Sequence, residues 1–443
     1  MAITVAIIGS GPAGCYTAEA LLKSNADVTI DVIDRLPTPF GLIRAGVAPD
    51  HQTTKKIQKK FGTVLADPAV RYYGNVEIGR DLTLAEVRGM YDAVVLAVGA
   101  PFDHKLGIPG EDKTGVYGSA SFVGWYNAHP DFRELDPDLN TQAAAVIGVG
   151  NVAIDVARVL VKTRAEMADS DLPDYAAAAI AASPITDVYI IGRRGPVEAK
   201  FTNVELREMG KLENCVSLVD PAQLPEEVGE VDLSDRDKRL KERNLKTLRE
   251  FAACSPGDKP KRVHFLFYAA PVEISGGAKA EAMTLERTRI EGGRAVGTGD
   301  FFDIPCGLII PAIGYRAVPV EGAPFDERRC VVPNEQGRVE PGLYAVGWIK
   351  RGPTGVIASN RPDGEEAAEH ILRDVPAGAR PGRAALEALL AERKVRAVSY
   401  IDWEKIEKTE NETATPPAPR RKLETIEAML AALEPVMVSR NRE

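Results

Sequence analysis

The feature that most constrains this 443-residue chain is a strand, glycine turn and helix pattern that occurs twice. In the first copy an apolar run at residues 5–8 precedes a glycine-rich turn and a helical stretch through residue 22. In the second copy the run at residues 143–147 precedes a similar turn. Continuous apolar runs predict strands buried on both faces of a parallel sheet. The pattern therefore predicts an α/β fold with two Rossmann-like, three-layer nucleotide-binding domains.

The first turn has the G-x-G-x-x-G spacing of a dinucleotide site. Gly9 permits the tight turn, Gly11 lets a pyrophosphate approach the backbone, and Gly14 allows close packing of helix on strand. The helix N-terminus adds N–H groups and a positive dipole end. Asp34 ends the next strand, predicted at residues 28–33, where a carboxylate accepts hydrogen bonds from ribose hydroxyls.

The second turn is the G-x-G-x-x-A variant, and its following strand ends differently. After the apolar run at residues 188–191 the chain carries Arg193 and Arg194 instead of an acid. Guanidinium groups bind a 2′-phosphate through charge-assisted hydrogen bonds, whereas a carboxylate would repel it. The pair predicts a preference for NADPH over NADH. The alternative is two solvated arginines on a surface loop.

One acid-ended site and one arginine-ended site suit FAD and NADPH together. This inference rests on the pairing of the sites, because two nicotinamide sites would have no evident chemical purpose. A flavin converts a two-electron hydride into single electrons. The expected reaction is hydride transfer from NADPH to FAD, followed by single-electron transfers to an acceptor protein, or the reverse.

Composition excludes other classes of protein. A net charge of -9 argues against nucleic-acid binding. No apolar run approaches the roughly 18 residues of a membrane span, and the N-terminus lacks the basic region of a signal peptide, so we expect a cytoplasmic protein. The cysteines form no C-x-x-C pair, which argues against a redox dithiol, an iron–sulfur cluster or another metal site; they are Cys15, Cys215, Cys254, Cys306 and Cys330.

Five segments spread over most of the chain carry a resemblance to a known family. They are residues 39–51, 122–127, 150–158, 192–196 and 347–357. In them the chain resembles the adrenodoxin-reductase-like ferredoxin–NADP(+) reductases. The resemblance implies a FAD domain made of residues 1–104 and 327–443, with an NADP domain of residues 105–326 inserted. It also implies non-covalent FAD and a ferredoxin-like iron–sulfur protein as partner.

The resemblance also implies the residues of the two sites. Those expected to contact FAD are Gly9, Gly11, Ala13, Gly14, Asp34, Leu42, Val76, Trp348, Gly355, Val356 and Ile357. Those expected to contact NADP are Val149, Gly150, Asn151, Val152, Arg193, Arg194, Glu205 and Gly355. The family often has Glu where this chain has Asp34; the shorter acid is still expected to reach the ribose, with an altered geometry.

Two further predictions concern catalysis and partner binding. His51 and Asp155 match a polar pair that the family places near the flavin, with a role in proton handling. The alternative is structural, with His51 starting a helix and Asp155 pairing with a neighbour. Arg207 and the basic segment 236–249 are candidates for docking an acidic ferredoxin, although such runs are also typical of solvated helix faces.

Other functions stay open from the sequence alone. A flavin monooxygenase would couple NADPH and oxygen consumption to a hydroxylated product. The flavin subunit of a larger reductase complex would normally carry iron–sulfur ligands, which the cysteine pattern does not offer. A non-enzymatic nucleotide-binding sensor would bind FAD without reducing it.

Overall fold

The computed structural model describes residues 2–229, 233–376, 378 and 380–434. Its contacts divide the chain into two compact units. The first unit comprises Met1–Phe102, Asn127–Arg133 and Tyr315–Glu443. The second comprises Asp103–Tyr126 and Glu134–Gly314. Each unit is thus built from separate stretches of the chain.

The unit boundaries differ from the predicted ones at residues 104 and 327. The chain re-enters the first unit at Tyr315, because Tyr315, Ala317 and Val320 pack with that unit's apolar core. The short segment Asn127–Arg133 also belongs to the first unit. There the Arg35 guanidinium donates to the Asp131 carboxylate at 3.2 Å and 2.5 Å, a contact that sequence periodicity cannot reveal.

Strands form where the sequence has short apolar or β-branched runs. In chain order they are β1 Ile3–Ile8, β2 Val28–Ile33, β3 Val70–Tyr73, β4 Ala93–Leu96, β5 Phe102–Asp103, β6 Ala143–Ile147, β7 Asp187–Ile191, β8 Cys215–Val219, β9 Lys261–Leu266, β10 Ala269–Ser275, β11 Ala282–Glu291, β12 Arg294–Pro305, β13 Leu308–Pro311, β14 Tyr315–Arg316, β15 Arg338–Glu340 and β16 Leu343–Ala345.

Helices connect the strands and cover the sheets. In chain order they are α1 Pro12–Lys23, α2 Leu42–Ala45, α3 Gln52–Lys55, α4 Ile57–Leu65, α5 Leu84–Met90, α6 Ser119–Tyr126, α7 Asn151–Val161, α8 Asp174–Ala182, α9 Asn203–Glu208, α10 Asp235–Ala252, α11 Trp348–Arg351, α12 Asn360–Asp374, α13 Arg383–Glu392, α14 Tyr400–Glu412 and α15 Ile426–Ala431.

The first unit contains a sheet in the order β15-β16-β4-β1-β2-β3. All neighbours are parallel except β15 and β16. Along β1, Val5 and Ile7 belong to one buried cluster and Ala6 and Ile8 to another. Both faces of the sheet are therefore covered, which explains the continuous apolar runs. The carboxyl ends of β1 and β2 lie side by side at one edge of the sheet.

The second unit contains a parallel sheet in the order β13-β6-β7-β9-β8. Beside it is an antiparallel sheet of β10, β11 and β12. The parallel sheet repeats the arrangement of the first unit, with β6 and β7 in place of β1 and β2. Both units have the predicted α/β architecture, and the antiparallel sheet is an addition that the sequence patterns did not predict.

Among the described residues, no helix combines the length and the apolar character that crossing a membrane requires.

Candidate nucleotide-binding sites

The glycine turn of the first unit follows β1 directly. Gly9 has φ +111°, which L side chains rarely adopt, and a Cβ there would lie 2.4 Å from the carbonyl oxygen of Ala97. A Cβ at Gly14 would lie 2.0 Å from the carbonyl oxygen of Gly9. The first glycine thus permits the turn and the third lets α1 pack against it, as the sequence predicts.

Gly11 differs from the other two glycines because its position faces open space. A Cβ placed there would have no neighbour within 4 Å, and its φ of -68° is ordinary. Gly11 also stands immediately before Pro12, where α1 begins. The backbone can therefore be approached closely at a helix N-terminus, where main-chain N–H groups and the helix dipole attract phosphate oxygens.

Asp34 lies at the end of β2, as predicted, but its carboxylate is largely engaged by the chain. One oxygen accepts from the Ser10 N–H at 2.8 Å and the Ser10 hydroxyl at 2.5 Å. The other accepts from the Leu36 N–H at 3.0 Å. An ionised carboxylate has about four acceptor positions. Asp34 thus braces the glycine turn and keeps capacity for about one further donor.

A distant segment of the chain meets the start of α1. A Cβ at Gly347 would lie 2.7 Å from the Cβ of Ala13. Trp348 begins α11, and its indole N–H donates to the carbonyl of Thr354 at 3.2 Å. Beyond it Gly355 and Val356 are exposed, whereas Ile357 packs against the apolar core. The fold therefore brings Gly347, which immediately precedes the predicted contact residue Trp348, to the start of α1.

Leu42 and Val76, the remaining predicted FAD contacts, differ in exposure. Leu42 starts α2 and is 41% exposed. Val76 is 1% exposed and packs in the core, and its N–H donates to the carbonyl of Asp34 at 2.9 Å. Val76 therefore supports the strand end that carries the acid, while Leu42 offers an accessible side chain.

Asp363, which was not singled out from the sequence, holds the segment after Gly347 in place. Its buried carboxylate accepts from the N–H of Gly347 at 3.1 Å and from Arg351 at 2.7 Å. Lys350 donates to its other oxygen at 3.0 Å. The sequence signal is an acid in the first turn of the helix that the pattern of residues 362–373 predicts, which corresponds to α12; a carboxylate there is favoured by the helix dipole.

The glycine turn of the second unit repeats this design. The N–H of Gly148 donates to Ile191 at the end of β7, and a Cβ at Gly148 would lie 2.3 Å from the carbonyl oxygen of Ala312. Gly150 precedes α7 and faces open space. Asn151, the first residue of α7, accepts from the N–H of Thr202 at 2.8 Å.

Two predicted neighbours in this turn contribute to its shape. Val149 accepts from the N–H groups of Lys200 and Phe201 through its carbonyl, at 2.7 Å and 3.2 Å. Val152 lies half-buried in the first turn of α7. The loop after β7 is thus tied to the glycine turn, which leaves the Gly150 backbone accessible.

Arg193 and Arg194 lie at the carboxyl end of β7, next to the second glycine turn. Arg193 is exposed and Arg194 half-buried. Among the described residues, neither guanidinium forms a hydrogen bond or an ion pair. Two cationic groups without an acidic partner beside a helix N-terminus form an anion-binding environment.

Asp155 and Glu205 are brought together by a residue that was not singled out as functional. Arg158 on α7 is fully buried, and its guanidinium lies 2.9 Å from a carboxylate oxygen of Asp155. It also lies 3.8 Å from Glu205 and 3.6 Å from Glu208. The i,i+3 spacing of an acid and an arginine on an otherwise apolar helix was the available signal.

His51 stands immediately before α3 in the first unit, and its side chain makes no capping hydrogen bond. The helix it precedes is short, Gln52–Lys55, and a second helix starts at Ile57. The predicted single helix through residue 61 is therefore interrupted. His51 and Asp155 belong to different units, and their role in catalysis stays a prediction.

The predicted docking residues lie on two adjoining helices of the second unit. Arg207 is exposed on α9, and α10 packs beside it through Asn203, whose amide donates to the Thr247 hydroxyl at 3.2 Å. The predicted basic segment 236–249 forms most of α10. Its exposed cationic side chains are Arg236, Lys238, Arg239, Arg243, Lys246 and Arg249.

Comparison with known proteins places this geometry in a family. The model of the family described as pyridine nucleotide-disulphide oxidoreductase matches residues 3–360. The NADPH:adrenodoxin oxidoreductase of Arabidopsis thaliana is 42% identical over 97% of this chain and 95% of its own. The NADPH-ferredoxin reductase FprA of Mycobacterium leprae is 40% identical over 96% and 97%.

A solved structure agrees with the sequence matches. Mycobacterium tuberculosis FprA in complex with NADPH superimposes with a TM-score of 0.92 at 37% identity, covering 98% of this chain and all of that one. The match extends over both units. This chain therefore belongs to the pyridine nucleotide-disulphide oxidoreductases and, within them, to the adrenodoxin-reductase-like NADPH–ferredoxin reductases.

Proposed function

We propose that this chain is an FAD-dependent ferredoxin–NADP(+) reductase that passes electrons between NADPH and a ferredoxin-like iron–sulfur protein. The observation that carries the proposal is the difference between the two glycine turns. One is braced by Asp34, and the other lies beside Arg193 and Arg194, whose guanidinium groups have no acidic partner among the described residues. The turn beside Asp34 suits a nucleotide without a 2′-phosphate. The turn beside Arg193 and Arg194 suits a nucleotide that carries a 2′-phosphate.

The turn of the first unit fits the pyrophosphate of FAD. Gly11 leaves space for a phosphate at the N-terminus of α1, and Asp34 retains an acceptor position for a ribose hydroxyl. Leu42, Trp348 and the turn at residues 355–357 would line the path of the isoalloxazine ring. FAD held there would supply the hydride-accepting and single-electron chemistry that the protein's own side chains lack.

The turn of the second unit fits the phosphates of NADPH. Gly150 leaves the backbone open at the N-terminus of α7, so that the pyrophosphate can approach. Arg193 and Arg194 would bind the 2′-phosphate. Val149, Asn151 and Val152 shape the turn, and Glu205 is held near Arg158. The predicted contact of Gly355 with NADP is part of the same proposal.

The contacts of Asp155 favour a positioning role for this residue over a catalytic one. Its ion pair with the fully buried Arg158 fixes the carboxylate on α7. His51 lies immediately before α3. We retain both residues as candidates for proton handling, which is secondary to orientation in hydride transfer.

The two helices α9 and α10 form the proposed docking surface for the iron–sulfur partner. Arg207 and the cationic side chains of α10 present positive charge on a chain of net charge -9. Val204 on α9 is 69% exposed and supplies an apolar contact beside Arg207. Complementary charge raises the rate of association and sets orientation. The cytoplasmic location expected from the sequence is kept as part of the proposal; the Arabidopsis relative is described as mitochondrial.

The reaction is tested with the FAD-loaded protein, NADPH and a purified ferredoxin under anaerobic conditions. We expect stoichiometric reduction of ferredoxin by NADPH, seen as bleaching of the iron–sulfur absorption. A monooxygenase would instead consume NADPH and oxygen together with a hydroxylated product, and a nucleotide sensor would leave NADPH unconsumed. NADPH that stays unconsumed in this anaerobic assay would contradict the proposal, and so would oxygen uptake that matches product formation without ferredoxin reduction in a parallel aerobic assay.

Charge reversal tests the docking surface. The double variant Arg207→Glu, Arg239→Glu should raise the KM for ferredoxin about tenfold at low salt, because two exposed charge contacts contribute up to about 1 kcal/mol each. The salt dependence of the rate should weaken as well. The matched control Arg289→Glu, Arg294→Glu changes two exposed arginines on β11 and β12. Equal effects of the two double variants would rule out a localised surface.

A further inference from the structure

The loop that carries Arg193 and Arg194 is held by the connection between β9 and β10. The N–H of Gly192 donates to the carbonyl of Leu266 at 2.8 Å, and Ala269 returns a bond to Gly192 at 3.0 Å. The N–H of Tyr268 donates to the carbonyl of Arg194 at 3.2 Å. The arginine loop therefore extends the sheet pairing of β7 and β9 beyond the ends of both strands.

Thr288 on β11 supplies a side-chain contact to the same loop. Its hydroxyl donates to the carbonyl of Arg193 at 2.7 Å, and its N–H donates to the carbonyl of Tyr268 at 2.8 Å. The pairing of β11 with β12 is irregular between Glu286 and Thr288. Thr288, at the end of this irregularity, is the residue whose hydroxyl contacts the arginine loop. Thr288 is 9% exposed, and its hydrogen bond to the loop is partly buried.

Tyr268 completes the contact from the other side. It has φ +54°, an uncommon backbone conformation for a bulky residue. A Cβ at Gly195 would lie 2.3 Å from the Tyr268 hydroxyl oxygen, so the ring lies directly against the loop. Such a backbone conformation persists only where surrounding contacts over-determine it. Here those contacts include the backbone hydrogen bonds that Tyr268 forms with Arg194 and Thr288.

We propose that Thr288 and Tyr268 form a brace that positions Arg193 and Arg194 for the 2′-phosphate of the coenzyme. The inference rests on the proposed function of the two arginines. Both guanidinium groups extend from a backbone whose carbonyls are fixed by the brace. Because the backbone of the two arginines is already ordered, less conformational freedom is lost when the coenzyme binds. This favours the affinity and the selectivity for a 2′-phosphate. Thr288 is thus a positioning residue for coenzyme choice.

The test removes the hydroxyl of Thr288 without changing the shape of the side chain. In Thr288→Val we expect the KM for NADPH to rise about fivefold to tenfold while kcat and the kinetics with NADH stay unchanged, since the lost bond orders only the arginine loop. Thr288→Ser keeps the donor and should behave as the parent. Thr284→Val is the matched control on the same strand, where the hydroxyl donates to Asp303 at 2.6 Å outside the loop.

A binding measurement separates the brace from catalysis. Calorimetric titration with adenosine 2′,5′-bisphosphate should show the same loss of affinity in Thr288→Val, and titration with AMP should show none. If Thr288→Val folds poorly, Thr288→Ala gives the same comparison. If Thr288→Val lost the same affinity for both nucleotides, or lost affinity for neither, the proposal of the brace would be wrong.

The outcomes for the brace and for the arginines are distinguishable. If replacing Arg193 and Arg194 removes the preference for NADPH while Thr288→Val does not weaken it, the brace alone is wrong. If the arginine replacements have no effect, the proposed coenzyme site itself fails. In the combined variant, Thr288→Val should add nothing further, because residues that act through one contact are not additive.

Discussion

Replacing Arg193 and Arg194 together by alanine is expected to lower kcat/KM for NADPH by about two to four orders of magnitude and to leave NADH unaffected. Each guanidinium would lose a charge-assisted hydrogen bond to the 2′-phosphate, which contributes roughly 1.5–3 kcal/mol, and about 1.4 kcal/mol corresponds to a factor of ten. NADH has no 2′-phosphate, so its binding does not depend on these side chains.

The fold should tolerate this change. Among the described residues neither guanidinium has a hydrogen-bonding or ionic partner, so alanine leaves no buried group unsatisfied. The measurement is steady-state kinetics with both coenzymes, with the double variant Arg289→Ala, Arg294→Ala as a matched control. A parallel fall for NADPH and NADH would mean that the two arginines do not read the 2′-phosphate.

Substitution of Gly11 by valine should yield a folded protein that binds little or no FAD. A Cβ at Gly11 meets no atom within 4 Å, and its φ of -68° is accessible to valine. The only expected cost to the apoprotein is about 1 kcal/mol from a poorer helix N-cap. The added side chain would occupy the space through which a pyrophosphate reaches the N-terminus of α1.

Gly14→Val provides the contrast, because its Cβ would lie 2.0 Å from the carbonyl oxygen of Gly9. This variant should lose stability and FAD together. Gly89→Val is the control for an open glycine outside the turn, in helix α5 of the same unit, and should retain FAD. The measurements are flavin absorption of the purified protein and the thermal unfolding of the apoproteins. A yellow, fully loaded Gly11→Val protein would show that FAD does not bind at this turn.

The strands and glycine turns could be predicted from the sequence because each depends on local patterns. The predicted strands at residues 28–33 and 143–147 match β2 and β6 residue for residue. The polar, charged composition of residues 225–262 predicts an insertion or an exposed helix, and this stretch contains the helix α10. By contrast, the amphipathic pattern of residues 423–433 predicts a final helix that is longer than α15, which begins only at Ile426 because Thr425 caps it by accepting from the Ala428 N–H at 3.1 Å.

What the sequence could not predict depends on contacts between distant residues. The bonds from Ser10 to Asp34, the role of Asp363 and the brace at Thr288 all join segments whose pairing leaves no periodic signal. The antiparallel sheet was missed for a related reason. Strand β12 is mostly exposed and contains glycines and charged residues, so it lacks the apolar run by which the buried strands were found.

Anaerobic titration of the purified protein with NADPH and, separately, with NADH examines both proposed nucleotide sites in one experiment. The flavin absorption band reports both the presence of FAD and its reduction. We expect a yellow protein that bleaches with about one equivalent of NADPH and far less readily with NADH, as the FAD site at Asp34 and the arginine-ended site require. A colourless protein that cannot be loaded with FAD, or equal bleaching by both coenzymes, would contradict the account.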